Sequence, residues 1–131
     1  MKTYATSAFS KLAAKEDVSD DDLREAIARA ERNQVDGPLG GHLIKQRVAR
    51  QGQGRSGGFR TIIFYKRGKV ALFLHMFAKS ERANLTKKEQ AAYHDYADQL
   101  AKHTDEQFSR LVAELGWREI EDEQPEEDVP K

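Results

Sequence analysis

The sequence predicts a single α+β domain, with an antiparallel central sheet, N-terminal helices packed on one face of it, and further helices at the C-terminal end. Two observations support this prediction. Both ends of the chain carry apolar residues at helical spacing, whereas the middle carries β-branched and aromatic runs divided by turns. The length of 131 residues suits one core but not two. We expect residues 1–120 to form the domain and residues 121–131 to form an acidic disordered tail.

Two helices are predicted in the first third of the chain. A short one is centred on Phe9 and Leu12. The second begins after Ser19, a good N-cap residue followed by three aspartates that favour the positive end of the helix dipole. It should end near Asn33, before the helix-breaking segment 36–41. Its apolar stripe consists of Leu23, Ala26, Ile27 and Ala30.

Three strands are predicted in the middle, over residues 43–48, 60–66 and 69–77. A glycine-rich basic loop, residues 49–58, joins the first two, and Arg67-Gly68 is the expected two-residue hairpin loop between the others. This register places Arg60 opposite His75 and beside Lys45 and Arg47. The core face of the hairpin would then hold Thr61, Ile63, Tyr65, Val70, Leu72, Leu74 and Met76.

The last third returns to helix. Capping-box patterns begin at Thr86 and at Thr104, and Gly116 occupies the position of a C-cap glycine. A short closing strand is expected over residues 117–120.

Charge is unevenly distributed, although 22 Lys and Arg balance 22 Asp and Glu. Residues 37–80 contain no acidic side chain, so the rest of the chain holds 13 basic and 22 acidic residues. Because nine clustered cations repel one another, an anionic partner is the natural explanation. The nine are Lys45, Arg47, Arg50, Arg55, Arg60, Lys66, Arg67, Lys69 and Lys79.

Several classes of function are disfavoured by composition. The absence of cysteine removes disulfides and thiolate chemistry. The four histidines lack metal-ligand spacing, so we expect no metal or cofactor. No apolar run is long enough for a membrane span, and no secretory signal is visible, so we expect a cytoplasmic protein without membrane contact.

Three segments carry a family resemblance: IKQRVARQG at 44–52, SGGFR at 56–60 and FAKSERANL at 77–85. Together they resemble the RelE superfamily of toxins, and more closely the phage-associated HigB-like branch of type II toxin–antitoxin modules. The resemblance implies a metal-free endoribonuclease, or mRNA interferase, that cuts mRNA on the ribosome. It also implies a cognate antitoxin, which we expect to be a small helix-turn-helix protein.

The resemblance also implies site residues, namely Lys45, Arg47, Arg60, and Lys79 or Arg82. The chemistry fits, because an arginine fork can stabilise the charge of the phosphorane formed when the 2′-OH attacks. We assign that role to Arg60, phosphate positioning to Lys45, Arg47 and Lys79, and acid/base chemistry to His75. Further RNA contacts are expected from Arg50, Arg55, Lys66 and Arg67.

The resemblance fails at the C-terminal end of the domain. Several family members carry a catalytic Tyr or His there, whereas this chain has Trp117 followed by acidic residues. The alternative function is therefore a non-catalytic nucleic-acid-binding module or regulator that uses the same basic face.

Overall fold

The computed structural model describes residues 1–50, 54–82 and 84–121, with the side chains of residues 50 and 54–57 left aside. Four helices and six strands are present in these residues. In chain order they are β1 (Lys2–Ala5), α1 (Ser7–Lys15), α2 (Asp20–Glu31), β2 (Gly37–Gly40), β3 (Leu43–Arg50), β4 (Gly54–Lys66), β5 (Val70–Ala78), α3 (Lys87–Ala101), α4 (Asp105–Leu115) and β6 (Arg118–Glu119).

The strands form one sheet in the order β2-β3-β4-β5-β1-β6. The β1–β5 pair is parallel and the other neighbours are antiparallel, which confirms the predicted α+β class. Helices α1 and α2 pack on one side, here called the first face, with Phe9 and Leu23 completely buried. Helices α3 and α4 cover the opposite side, the second face, through residues such as Leu100 and Phe108.

The predicted helix ends are confirmed by their capping hydrogen bonds. Ser19 Oγ accepts from the Asp22 N–H at 3.1 Å, and the Asp22 carboxylate accepts in return from the Ser19 N–H. Thr86 and Thr104 form the two predicted capping boxes at α3 and α4. Gly116 ends α4 with a φ of 66°, a left-handed conformation that glycine adopts without steric cost.

Two strands escaped prediction. β1 begins at the second residue and pairs with β5 across the sequence, so no local turn marks it. β2 includes Pro38 and two glycines, which read as a turn, yet it pairs with β3 at the edge of the sheet, where proline is tolerated. The closing strand was predicted and is present as β6, paired with β1.

The predicted hairpin register is wrong. The loop holds three residues, because Lys66 pairs with Val70 and the Lys69 N–H donates to the Lys66 carbonyl at 2.9 Å. A β-bulge then leaves Leu74 without a partner, and Arg60 lies opposite Phe77 rather than His75. Near the turn, Ala71 and Phe73 therefore lie on the first face, while Val70, Leu72 and Leu74, predicted there, do not.

The loop extension and the bulge compensate for each other. Each moves the later residues of β5 by one position, which exchanges the faces of the sheet. After both shifts, His75 and Phe77 lie on the same face as Arg60, and Met76 lies on the other. The face of His75 is thus as predicted, although its partner is Ile62.

The glycine-rich loop is shorter than predicted. Arg50 ends β3 and pairs with Gly54, which begins β4, so much of the segment 49–58 is strand. Residues 122–131, nearly the whole predicted acidic tail, lie outside the described part of the chain. In the described residues, no helix is long and apolar enough to cross a membrane.

Candidate functional site

Cationic side chains gather on the second face at one end of β3, β4 and β5, the end opposite the 67–69 turn. We call it the far end. Cross-strand pairing places Arg47, Arg60 and Phe77 in one row across the three strands. The next row holds Lys45, Ile62 and His75. Since diagonal neighbours in a sheet lie about 7–8 Å apart, Lys45 and His75 both flank Arg60.

Arg60 is only 9% exposed, and its Nη1 atom has no hydrogen-bond partner among the described residues. Burial lowers the pKa of Arg60 from its ordinary value, and the positive charge of Arg47 lowers it further. A guanidinium keeps its proton even so. The far end therefore contains a buried cation with an unused donor, which favours occupation by an anion.

Arg47 is held by an ion network whose acidic residues lie outside residues 37–80, the segment without acidic side chains. Asp36 accepts from the Arg47 N–H at 2.7 Å and from its guanidinium at 3.2 Å. The buried Arg29 of α2 donates to Asp36 at 2.6 Å and to Glu25 at 2.8 Å, and it also binds the Arg47 carbonyl. Hydrogen bonds from Arg47 and Arg29 hold the pKa of Asp36 below its ordinary value, although burial acts in the opposite direction.

His75 lies among two rings and two charges. Its ring stacks on Tyr93 of α3 with centroids 6.1 Å apart, and its Nε2 is 3.5 Å from the Arg82 guanidinium. Burial lowers the pKa of His75 below 6.5, Arg82 lowers it further, and Glu89 opposes the change. His75 is consequently neutral at pH 7, the state in which an imidazole accepts a proton.

Arg82 is less free than the sequence implied. Glu89, the capping-box residue of α3, binds it through both carboxylate oxygens at 2.6 and 3.0 Å. The Arg82 pairing holds the pKa of Glu89 at about 2. The Arg82 guanidinium also lies over the Phe77 ring, 4.9 Å from its centroid, so Arg82 contacts the first row through Phe77 and the second row through His75.

Lys45 and Lys79 complete the far end in different ways. The Lys45 amine donates to the side-chain oxygen of Asn84, which ties the segment before α3 to β3. Lys79 is exposed just after β5, and its backbone N–H donates to Gly58. Lys45 is thus held by Asn84, whereas the charge of Lys79 is exposed at the end of β5.

The remaining predicted RNA-binding residues fall into two groups, one away from the far end and one near it. Lys66 and Arg67 are six and seven positions along the chain from Arg60, about 20 Å at the rise of a strand. Arg67 is bonded to Glu31 and Asn33 at the end of α2. Arg50 and Arg55 belong to β3 and β4 near the far end, but the positions of their side chains lie outside the described residues.

Three charged residues of this region were missed by sequence reasoning: Arg29, Asp36 and Glu89. Arg29 was detectable in part, since Glu25 and Arg29 have the i,i+4 spacing of a helical ion pair. Asp36 was interpreted as a helix breaker and Glu89 as a cap only. Their pairing with Arg47 and Arg82 depends on folding over long sequence distances, and local spacing gives no signal for it.

No group of three or more His, Asp or Glu in the described part of the chain could hold a metal ion. The fold and the far end thus define a small α+β protein with a cationic centre on the edge of a helix-covered sheet face. The family model for the RelE toxin of the RelE/RelB toxin–antitoxin system matches residues 1–120, and the chain belongs to this family. Comparison with curated proteins gives no match. The chain is accordingly the toxin of a toxin–antitoxin system, with a cognate antitoxin as partner.

Proposed function

We propose that this toxin is a metal-free endoribonuclease, an mRNA interferase that cuts messages on translating ribosomes in the cytoplasm. The observation that carries the proposal is the enclosed Arg60 guanidinium, whose Nη1 atom has no partner in the described part of the chain and which lies beside Arg47 and Lys45. Cleavage by 2′-OH attack builds negative charge on the phosphorane, and preorganised donors in an enclosed site stabilise such charge best.

Each far-end residue has a task in this scheme. Arg60 donates to the non-bridging oxygens of the phosphorane, while Arg47, Lys45 and Lys79 bind the scissile and neighbouring phosphates. His75, neutral at pH 7 and diagonal to Arg60, takes the proton of the 2′-OH as general base. Arg82 and Tyr93 hold the His75 ring in place. The leaving 5′-oxygen takes up a proton, so that the reaction gives a cyclic phosphate and a 5′-OH end.

The test is cleavage of a message on purified translating ribosomes. Arg60→Ala should lower the cleavage rate by about 100- to 1,000-fold, as loss of an oxyanion donor does in other enzymes. Arg60→Lys should remain impaired, because an ammonium cannot bind two oxygens as a fork. Arg110→Ala, on an exposed position of α4, is the matched control and should cleave normally.

Ribosome dependence has its own test, in which 5′ ends are mapped in cells after the toxin is induced. New ends should appear on a translated message and be absent from the same message without its start codon. Equal cleavage of both messages would contradict ribosome dependence, and growth arrest without new ends on either would contradict the nuclease itself.

The alternative is a non-catalytic nucleic-acid-binding protein, and the state of Trp117 favours it. Trp117 is 7% exposed and packs edge-on against Phe108 at 5.5 Å, so a core residue occupies the chain position where relatives carry a catalytic side chain. This function predicts RNA binding with intact product and a strong dependence on salt, about 0.7 log units per phosphate contact for each log unit of salt.

A further inference from the structure

A groove of about 690 Å³ lies on the second face at the other end of the sheet, here called the hairpin end. It is bounded by the turn that joins β4 to β5, by the start of β1, and by the connection between α3 and α4. Its volume is in the range of ordinary binding clefts, about 300–1,000 Å³. It is separated from Arg60 by about 20 Å of strand, so it is distinct from the far end.

The floor of the groove consists of Tyr4, Phe64 and Phe108, and the Phe108 ring packs against the other two. The Phe108 ring lies 5.7 Å from Tyr4 and 6.3 Å from Phe64 between centroids, and none of the three residues is more than 8% exposed. Proteins that bind single-stranded RNA offer exposed aromatic faces on which bases stack. The three rings of this floor are almost fully buried, so they present no exposed face on which a base could stack.

The rim of the groove is cationic. Lys66, Val70 and Lys2 form a row across β4, β5 and β1, and the exposed Lys69 adds a further charge at the turn. Lys2 is paired with Glu119 at 3.2 Å. Among the described residues, Lys66 is bonded only to the Ala101 carbonyl, at 3.4 Å, and no ion pair is found for Lys69, so the available charge of the rim comes from Lys66 and Lys69. The positive end of the α4 dipole, at Thr104, lies on the opposite wall, where the first turn of the helix carries Asp105 and Glu106.

We propose that this groove is a docking site for the cognate antitoxin, and specifically for a segment that carries carboxylates on both sides of an aliphatic side chain. The carboxylates pair with Lys66 and Lys69, and the aliphatic side chain packs against Phe108 in the groove. Charge complementarity selects an acidic partner, and the buried rings of the floor favour protein over RNA. The antitoxin would thus grip the toxin at a place that needs no contact with Arg60.

The experiment measures antitoxin binding by calorimetry at two salt concentrations, with Arg60→Ala as the common background so that the toxin can be produced. Lys69→Glu should weaken binding by about tenfold and make it less sensitive to salt, as expected for a rim charge. Ser109→Trp, which fills the groove from α4, should weaken it at least as much. The matched controls are Lys11→Glu and Ala14→Trp, exposed on α1 at the first face, and they should bind normally.

Two results would overturn the proposal. One is unchanged antitoxin affinity in both groove variants, with melting temperatures that show folded proteins. The other is a loss of RNA affinity in Lys69→Glu with antitoxin binding intact, which would make the groove an RNA site. Growth arrest by Lys69→Glu and Ser109→Trp in the otherwise unchanged toxin should persist. The antitoxin affinities of these two variants therefore test docking, whether or not the nuclease proposal holds.

Discussion

The far end and the hairpin end of the second face use the same strands but hold their charges differently. At the far end, Arg60 is enclosed and Arg47 is fixed by Asp36, whose position depends in turn on the buried Arg29. At the hairpin end, Lys66 is half-buried with a hydrogen bond of 3.4 Å to the Ala101 carbonyl, and Lys69 is exposed in the 67–69 turn.

This difference separates two uses of positive charge. Two arginines directly opposite each other in a sheet are unfavourable, so the far end requires counter-ions and pays stability for a preorganised donor. Lysine side chains near the surface cost little stability and interact weakly, but their flexible stems adapt to partners of variable shape. The first arrangement suits reaction chemistry and the second suits docking.

Removal of the support under the far end should have the largest effect on stability. Arg29→Met removes the buried partner of Asp36, and we expect a loss of about 3–5 kcal/mol in the free energy of unfolding. Urea denaturation in the Arg60→Ala background measures it. Arg110→Met, on the exposed side of α4, should change stability by less than about 0.5 kcal/mol. A loss below about 1 kcal/mol for Arg29→Met would show that the network is not needed.

The pH dependence of cleavage tests the chemistry of the far end. Burial and Arg82 place the pKa of His75 below 6.5, so the base form dominates at neutral pH. The cleavage rate should level off at pH values above the lowered pKa of His75 and fall by up to tenfold per unit once the pH drops below it. His75→Gln should lose this acidic limb together with most of the activity.

Arg82→Gln sharpens the same test. Since Arg82 lowers the pKa of His75 and Glu89 raises it, loss of Arg82 should shift the acidic limb to higher pH. NMR titration of His75 in the Arg60→Ala background measures the pKa directly. A limb that stays in place would mean that another group is the base.

At the hairpin end, Gly68→Ala should affect stability alone. Gly68 has a φ of 74°, and a Cβ there would meet no atom within 4 Å, so the cost is backbone strain of about 1–2 kcal/mol. Thermal melting measures the loss, and cleavage on ribosomes should remain normal. Loss of cleavage in a folded variant would contradict the functional separation of the two ends.

The smallest expected change is a gain in stability at the far end. Arg60→Met replaces a buried, incompletely bonded cation with an apolar chain of similar length. We expect about 1 kcal/mol of added stability, or about 4 °C in Tm, together with loss of cleavage. A destabilised Arg60→Met protein would indicate that the guanidinium is well satisfied in the free toxin.

Local signals predicted the helices well, because caps and apolar spacing lie within a few residues of each other. Ser19, Thr86, Thr104 and Gly116 each act at the position where the sequence placed them. β1 and β2 had no such signal, since β1 pairs with β5 across nearly seventy residues of chain and the glycines of β2 are typical of turns.

The far end was predictable in its membership but not in its contacts. Alternation along β3 and β4 places Lys45, Arg47 and Arg60 on one face, and the register shows them there. The third residue of the hairpin loop and the bulge at Leu74 left no mark in the sequence, because loop length and bulges depend on the packing of both faces. The ion pairs of Asp36 with Arg47 and of Glu89 with Arg82 could not be predicted for the same reason, since tertiary folding brings these partners together.

Compared with a two-residue loop and a regular strand, the β4–β5 hairpin contains two extra residues. One lies in the 67–69 loop, and the other is Leu74 at the bulge just before His75. Deletion of Leu74 would remove the bulge and leave His75 opposite Ile62, on the second face with Arg60. Deletion of one residue from the 67–69 loop would likewise leave Lys66 opposite Val70. The face on which His75 lies is therefore set by its pairing with Ile62, and either irregularity can be lost without changing that face.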